Sequence, residues 1–302
     1  MKIDNKYVSI LQDILINGED YEDPNRKGVI RKELPFVSLK HSVEQGYPAI
    51  TVRKSFFKGA VGELLLFLKG STDIRDYWRY GIEFWNDDYA RYQGMTSDEL
   101  NITKELLELG DWKTSEEIFS MGKIYPYQYK KQHHIFDNFK ENKLRSDLIV
   151  DSWQVEDLKN MCLIPCHYSY QLVGSESGFY VVWTQRSTDL LLGSPINTQF
   201  YYLMGMLLEF WSGHKFKGII GNLSKVHLYD NGFELAKKLC KVNPGEYKNG
   251  IEVELNLDES LKELTFSEFI KQIEPKNFAI KNYDYIIDEK VPMLTYNISL
   301  FK

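Results

Sequence analysis

Apolar positions open the chain at helical spacing. Tyr7, Ile10, Leu11, Ile14 and Leu15 share one face, and Gly18 stands where a left-handed cap would close a first helix. Residues 17–28 are turn formers at nearly every position, which predicts a mobile loop carrying Arg26. Extended segments are expected at 36–39 and 49–52. Residues 59–68 are almost wholly apolar, so a helix there is buried on most faces with Glu63 inside it, and a lone buried carboxylate is costly unless paired or protonated. Residues 97–109 form a polar amphipathic stretch that starts at Ser97-Asp-Glu-Leu and reads as a surface insertion. Branched and aromatic residues then predict strands at 148–150, 166–173 and 179–183. Residues 195–211, with Pro195 near the start, predict a long core helix. Short strands at 218–220 and 225–229, a helix over 231–239, and late strands at 251–255 and 278–283 complete the pattern. No repeat or linker divides it, so the reading is a single α+β domain over 1–302, with strands and helices mixed rather than regularly alternating.

Composition narrows the function classes. The 302 residues are 43% hydrophobic and 26% charged, an ordinary globular balance. The 37 basic and 43 acidic residues give a net charge of -6, so no nucleic acid partner is expected and an anionic ligand must be held by a few local arginines. The three cysteines, Cys162, Cys166 and Cys240, are too sparse for a secreted disulfide scaffold. With no signal peptide and no apolar run long enough for a membrane helix, the expectation is a cytoplasmic protein.

Three segments carry chemistry. In Pro165-Cys-His167, consecutive strand residues point to opposite faces, so Cys166 and His167 do not form a simple thiolate–imidazole dyad. Cys166 is then either a small buried hydrophobe or a nucleophile activated by nearby cations. Gln185-Arg-Ser-Thr-Asp189, followed by Gly193 and Asn197, puts unusual polar density at the entry of an apolar helix. In Lys225-Val-His-Leu-Tyr229, alternation sets His227 and Tyr229 on one face, which suits a sugar, although a satisfied core histidine is the commoner explanation for a single His, as a structural turn is the alternative for 185–197.

In order along the chain, Asn25-Arg26-Lys-Gly28, Glu63-Leu-Leu-Leu-Phe-Leu-Lys-Gly70, Ile82-Glu-Phe-Trp85, Gly122-Lys-Ile-Tyr125, Pro165-Cys-His167, Gln185-Arg-Ser-Thr-Asp189, Gly193, Asn197 and His227-Leu-Tyr229 resemble the thymidylate synthases and their pyrimidine nucleotide hydroxymethylase relatives. The resemblance spans roughly residues 5 to 285 and implies a large mixed β-sheet flanked by helices. It also implies a homodimer, and as ligands a pyrimidine deoxynucleotide monophosphate and 5,10-methylenetetrahydrofolate, with no metal.

On that resemblance, Cys166 attacks C6 of the pyrimidine and makes C5 a carbon nucleophile. Arg186 favours the thiolate and binds phosphate, with Arg26 and Ser187. His227 and Tyr229 hold the ribose, and Gln185 lies in the nucleotide site. Asn197 can donate to O4 and accept from N3–H, which selects uracil. Glu63 relays protons and Tyr125 assists removal of the C5 proton. His167, Trp85, Asp189, Leu192 and Gly193 shape the pocket for the base and the folate. A synthase transfers a methyl group, a hydroxymethylase lets water capture the intermediate, and a binding-only relative does neither.

Two departures stand out. The family borrows adjacent arginines from the partner subunit, six or seven residues before the match to Trp153; here those places are Ser146 and Asp147, with Arg145 nearby. A lost charge-assisted contact costs about 1.5 to 3 kcal/mol. The segment 285–302 also runs past the family's usual ending. It either leaves the pocket poorly sealed, admitting water, or packs elsewhere on the surface. The insertion, near 86–121, lies on the folate side.

Overall fold

The computed structural model describes residues 2–24, 26–108, 119–243, 250–291 and 294. Its elements in chain order are α1 (Ile3–Asn17), β1 (Glu19–Glu22), β2 (Ile30–Ser42), α2 (Phe57–Lys69), α3 (Ile74–Arg79), α4 (Asn86–Gln93), α5 (Ser97–Glu108), α6 (Tyr125–Lys131) and α7 (His134–Glu141). There follow β3 (Ile149–Asp151), β4 (His167–Ser175), β5 (Gly178–Gln185), β6 (Thr188–Asp189), α8 (Gly193–Ser212), β7 (Phe216–Tyr229), α9 (Phe233–Leu239), β8 (Glu252–Leu255), α10 (Phe266–Gln272) and β9 (Phe278–Lys281).

A seven-stranded sheet runs β1-β2-β7-β5-β4-β3, with β6 beside β7. β7 pairs in parallel with β5 and β6 and antiparallel with β2, so the sheet is mixed and the fold α+β, as expected. β8 and β9 form a separate antiparallel pair. One face of the large sheet is covered by α8, with α2 packed behind it. Every residue of α2 from Gly59 to Leu68 is buried, Glu63 included. The opposite face presents Phe36, Ile149 and Val173, which are 55, 45 and 39% exposed. No helix among the described residues is long and apolar enough to cross a membrane.

Three expectations are corrected. Gly18 is extended, at φ −68 and ψ 144, because the chain turns directly into β1. Residues 49–52 are buried but form no strand: the Asp4 carboxylate takes Thr51 N, Thr51 Oγ1 and Val52 N at 2.6, 2.8 and 3.3 Å, so a side chain replaces a neighbouring strand. The two short strands at 218–220 and 225–229 are one, β7, held along its length by β2. Lys225, at φ 46, has no partner in the register between Ser224 and Val226. As expected, α5 starts at Ser97; the Thr96 hydroxyl before it accepts from Glu99 N. Tyr89, Ala90 and Leu100 are buried, so α4 and the start of α5 are anchored in the core; residues 109–118 of the expected insertion lie outside the described residues.

Candidate active site

Cys166 immediately precedes β4, beside a register irregularity between His167 and Ser169. Its amide donates to the Tyr125 hydroxyl at 2.5 Å, and its carbonyl accepts from Arg186 N at 2.8 Å. The Arg186 guanidinium is fixed by the carbonyls of Pro165 and Ile164, at 2.8 and 2.9 Å, and its Nη2 stands 4.0 Å from Cys166 Sγ. Burial nevertheless pushes the thiol up, Asp88 and Asp189 add to the rise, and the Arg186 charge only opposes it. In the free protein Cys166 is therefore held as a thiol.

His167 turns into the core. Its Nδ1 lies 2.7 Å from the Tyr201 hydroxyl, its ring stacks on Tyr125 at 4.5 Å, and burial pushes its pKa down to about 3. A ring that stays neutral there supports Tyr125 by packing. Tyr125 opens α6 just after Gly122, whose φ of +77 and missing Cβ matter: a Cβ would lie 2.1 Å from the Asn160 carbonyl oxygen.

Glu63 accepts from Trp85 Nε1 at 2.9 Å, and burial raises its pKa to about 7. The costly lone carboxylate is thus answered by one donor and by partial protonation near neutrality, a combination suited to proton relay.

At the start of α8, Asn197 Nδ2 donates to Gln185 Oε1 at 3.2 Å, while Gln185 Nε2 donates to the Ser187 carbonyl at 3.0 Å. One oxygen of Asp189 accepts from Leu191 N and Leu192 N at 2.9 and 3.0 Å, tying the turn between β6 and α8.

Arg26 Nη1 donates to the Tyr229 hydroxyl at 2.7 Å, and its guanidinium lies 4.9 Å from that ring. Tyr229 and His227 are neighbours at 4.9 Å, as alternation predicted. Arg31 and Glu33, which the sequence reading missed, complete this corner: in the β2–β7 register Arg31 faces Tyr229 and Glu33 faces His227. The signal available was alternation in Ile30-Arg-Lys-Glu-Leu34, which sets two charges on an inward face. Arg145 is engaged elsewhere, its Nε and Nη2 donating to the Asp147 carboxylate at 2.9 and 2.7 Å.

The Arg26–Tyr229 and Asp189 corners open on a cleft lined by Arg26, Asp88, Asp189, Leu192 and Tyr229, with Phe84, Asp87, Leu191 and Asn231 and, from the C-terminal segment, Val291 and Leu294. Of the expected site residues, Cys166, Glu63, Tyr125, His167, Gln185, Arg186, Ser187, Asn197, His227, Trp85 and Gly193 do not line it; Trp85 instead donates to Glu63. Phe84 and the half-buried Asp88, whose pKa burial raises to about 6, are cleft residues that the sequence reading missed. The C-terminal segment reaches the cleft because Ile286 N and Ile287 N bond to the carbonyls of Thr51 and Val52, and Lys54 N to Ile287 O. Its described part therefore packs on the site and not elsewhere on the surface; residues 292–293 and 295–302 lie outside the described residues.

Comparison with known proteins shows the family. The sequence profile of the family described as thymidylate synthase matches residues 5–295. A "Probable thymidylate synthase" of Escherichia phage T5 is 28% identical over 247 residues, covering 79% of this chain and 84% of that protein. The thymidylate synthase of Mesoplasma florum is 25% identical over 273 residues, covering 87% and 93%. That of Phytoplasma mali is 28% identical over 251 residues, covering 79% and 85%.

Proposed function

The chain belongs to the thymidylate synthase family of one-carbon transferases, and from that premise we propose that it methylates C5 of deoxyuridylate through a covalent adduct at Cys166. The observation that carries the reading is the meeting of four groups: a cysteine 4.0 Å from a fixed arginine, a tyrosine hydroxyl on its amide, a buried carboxyl with a pKa of about 7, and an oriented asparagine.

Each group has a part. Sγ gives up its proton and bonds to C6, the C5=C6 electron pair moves toward C5 and O4, and C5 becomes nucleophilic. Arg186 stabilises the thiolate once the ligand is in place and holds phosphate together with Arg26 and Ser187. Asn197 has one amide hydrogen committed to Gln185, which leaves the other for O4 and its oxygen for N3–H; that pattern fits uracil. Glu63 moves a proton to and from the O4 side. Tyr125, whose hydroxyl burial keeps protonated, passes the C5 proton on by way of water. His227 and Tyr229 hold the sugar.

The cleft has the character a reduced folate requires: apolar walls from Phe84, Leu191, Leu192, Val291 and Leu294, and a carboxylate, Asp189, for the ring's N–H donors. When bound, methylenetetrahydrofolate supplies the carbon and, in a synthase, the hydride. Trp85 supports this side indirectly, through Glu63.

The exposed sheet face with Phe36, Ile149 and Val173, continuous with a groove lined by Trp153, Tyr168 and Arg186, supports a homodimer joined sheet to sheet. Solution in the cytoplasm fits the same reading. A hydroxymethylase is the second reading, favoured by Asp87 and Asp88 in the cleft, carboxyl groups able to hold a water.

The test is to mix the protein with deoxyuridylate and methylenetetrahydrofolate, follow dihydrofolate absorbance, and weigh the nucleotide. Dihydrofolate with a methyl-sized gain supports the synthase. A hydroxymethyl-sized gain without dihydrofolate overturns it in favour of the second reading.

A further inference from the structure

Beside the cleft lies a buried polar cluster that the proposed chemistry does not use. Arg31 is 6% exposed and is clamped by two carboxylates: its Nη1 donates to Asp23 at 3.1 Å and its Nη2 to Glu33 at 2.6 Å. Tyr21 and Lys225 close on Glu33 from outside, at 2.5 and 3.2 Å. The same Nη2 lies 2.9 Å from His227 Nδ1.

His227 is 2% exposed, and its Nδ1 also lies 2.7 Å from the Lys225 carbonyl, which the left-handed backbone of Lys225 turns inward. Nδ1 thus meets one group that can only donate and one that can only accept. A doubly protonated ring is disfavoured, because burial and the Arg31 charge hold its pKa below the usual range. In a neutral ring one nitrogen carries the proton, and the neighbours decide which. The guanidinium is permanently charged and cannot turn away from its two carboxylates, and a charge-assisted bond is about twice as strong as a neutral one. Nδ1 therefore accepts from Arg31, and the proton sits on Nε2. Among the described residues that buried Nε2 has no hydrogen-bond partner.

We propose that Arg31 is a positioning residue that holds neutral His227 in its Nε2–H form, so that the ring offers a donor to an acceptor oxygen of the nucleotide's sugar. The identity of that oxygen rests on the function proposed above. A deoxyribose monophosphate has one free hydroxyl, at the 3′ position, so that is the group recognised.

The free, full-length protein, labelled with 15N-histidine, is read by long-range proton–nitrogen spectra, with His227 assigned by its loss in His227→Gln. The expected result is Nε2 protonated and Nδ1 bare in the wild type. In Arg31→Met the proton moves to Nδ1, facing Lys225 O, while Arg31→Lys keeps the wild-type pattern. With deoxyuridylate, Arg31→Met raises KM about tenfold and leaves kcat within about twofold, and it no longer distinguishes a 3′-deoxy analogue. A wild-type ring protonated on Nδ1, or an Arg31→Met ring still protonated on Nε2, overturns the proposal. If Arg31→Met does not fold, the wild-type and Arg31→Lys spectra decide alone. The expected spectra in a protein that does not bind deoxyuridylate would uphold the role of Arg31 and overturn the proposed substrate.

Discussion

Arg186 Nη2 stands 4.0 Å from Cys166 Sγ while the rest of its guanidinium holds the carbonyls of Ile164 and Pro165. The arginine is therefore both a charge beside the sulfur and a brace for the segment that carries it. Since burial outweighs the cation, the free thiol titrates above its ordinary value, and alkylation by iodoacetamide should stay slow until alkaline pH. Arg186→Met removes the opposing term, shifts the alkylation profile further up and lowers turnover about a hundredfold. Cys166→Ala abolishes turnover and keeps nucleotide binding by equilibrium dialysis. Turnover remaining in Cys166→Ala would exclude the covalent route.

Glu63 links function to stability. Its pKa is raised from 4.5 to about 7, so between those values the folded state binds more protons than the unfolded chain and stability falls as pH rises. Below 4.5 the penalty is absent; above 7 it is complete, at roughly 3 kcal/mol. Glu63→Gln retains an acceptor for Trp85 Nε1 without the charge. Denaturant titration should find it more stable than wild type at pH 8, with the gap closing toward pH 4.5, while its turnover collapses. Equal stability at both pH values would show that the carboxyl is not desolvated as described.

Asn197 tests the choice of base. Its amide donates to Gln185 at 3.2 Å, and Asn197→Asp removes that donor together with the one offered to the ring. The carboxyl accepts from the amino group of cytosine while its proton goes to N3, whereas ionised it faces uracil O4 acceptor to acceptor. Competition between deoxyuridylate and deoxycytidylate should shift about ten- to a hundredfold toward the latter. Unchanged preference would remove Asn197 from base recognition.

How much of this was legible follows from the range of the interactions. Cys166, Arg186, Glu63, Tyr125 and Asn197 sit in compact motifs whose order resembles one family, and their expected roles follow from that resemblance; the helices and strands that carry them follow from hydrophobic spacing. The Arg31–His227 contact was not legible, because it joins residues 196 positions apart and exists only in the register of β2 against β7. Residues 49–52 misled for the same reason: their backbone partner is a carboxylate on α1, 47 positions away. Trp85 was expected in the folate wall, yet its indole nitrogen has a nearer acceptor in Glu63.

The phosphate corner yields the last prediction. On a homodimer, Arg145 is the cation nearest the place where the family presents its partner arginines, and here Asp147 holds it in a two-pronged pair. Both side chains are exposed, 39% for Arg145 and 64% for Asp147, so the pair is screened and worth little by itself. A phosphate dianion competes well for such a guanidinium, and Asp147 opposes it by like charge. Asp147→Ala should therefore lower KM for deoxyuridylate about three- to tenfold, leave kcat unchanged, and steepen the loss of affinity with added salt. Asp147→Asn, which keeps the shape and loses the charge, should give most of the gain. Arg145→Ala in the Asp147→Ala background should return KM to the wild-type value. If that double variant keeps the tighter KM, Arg145 does not reach the phosphate and the corner is held by Arg26 and Arg186 of a single chain.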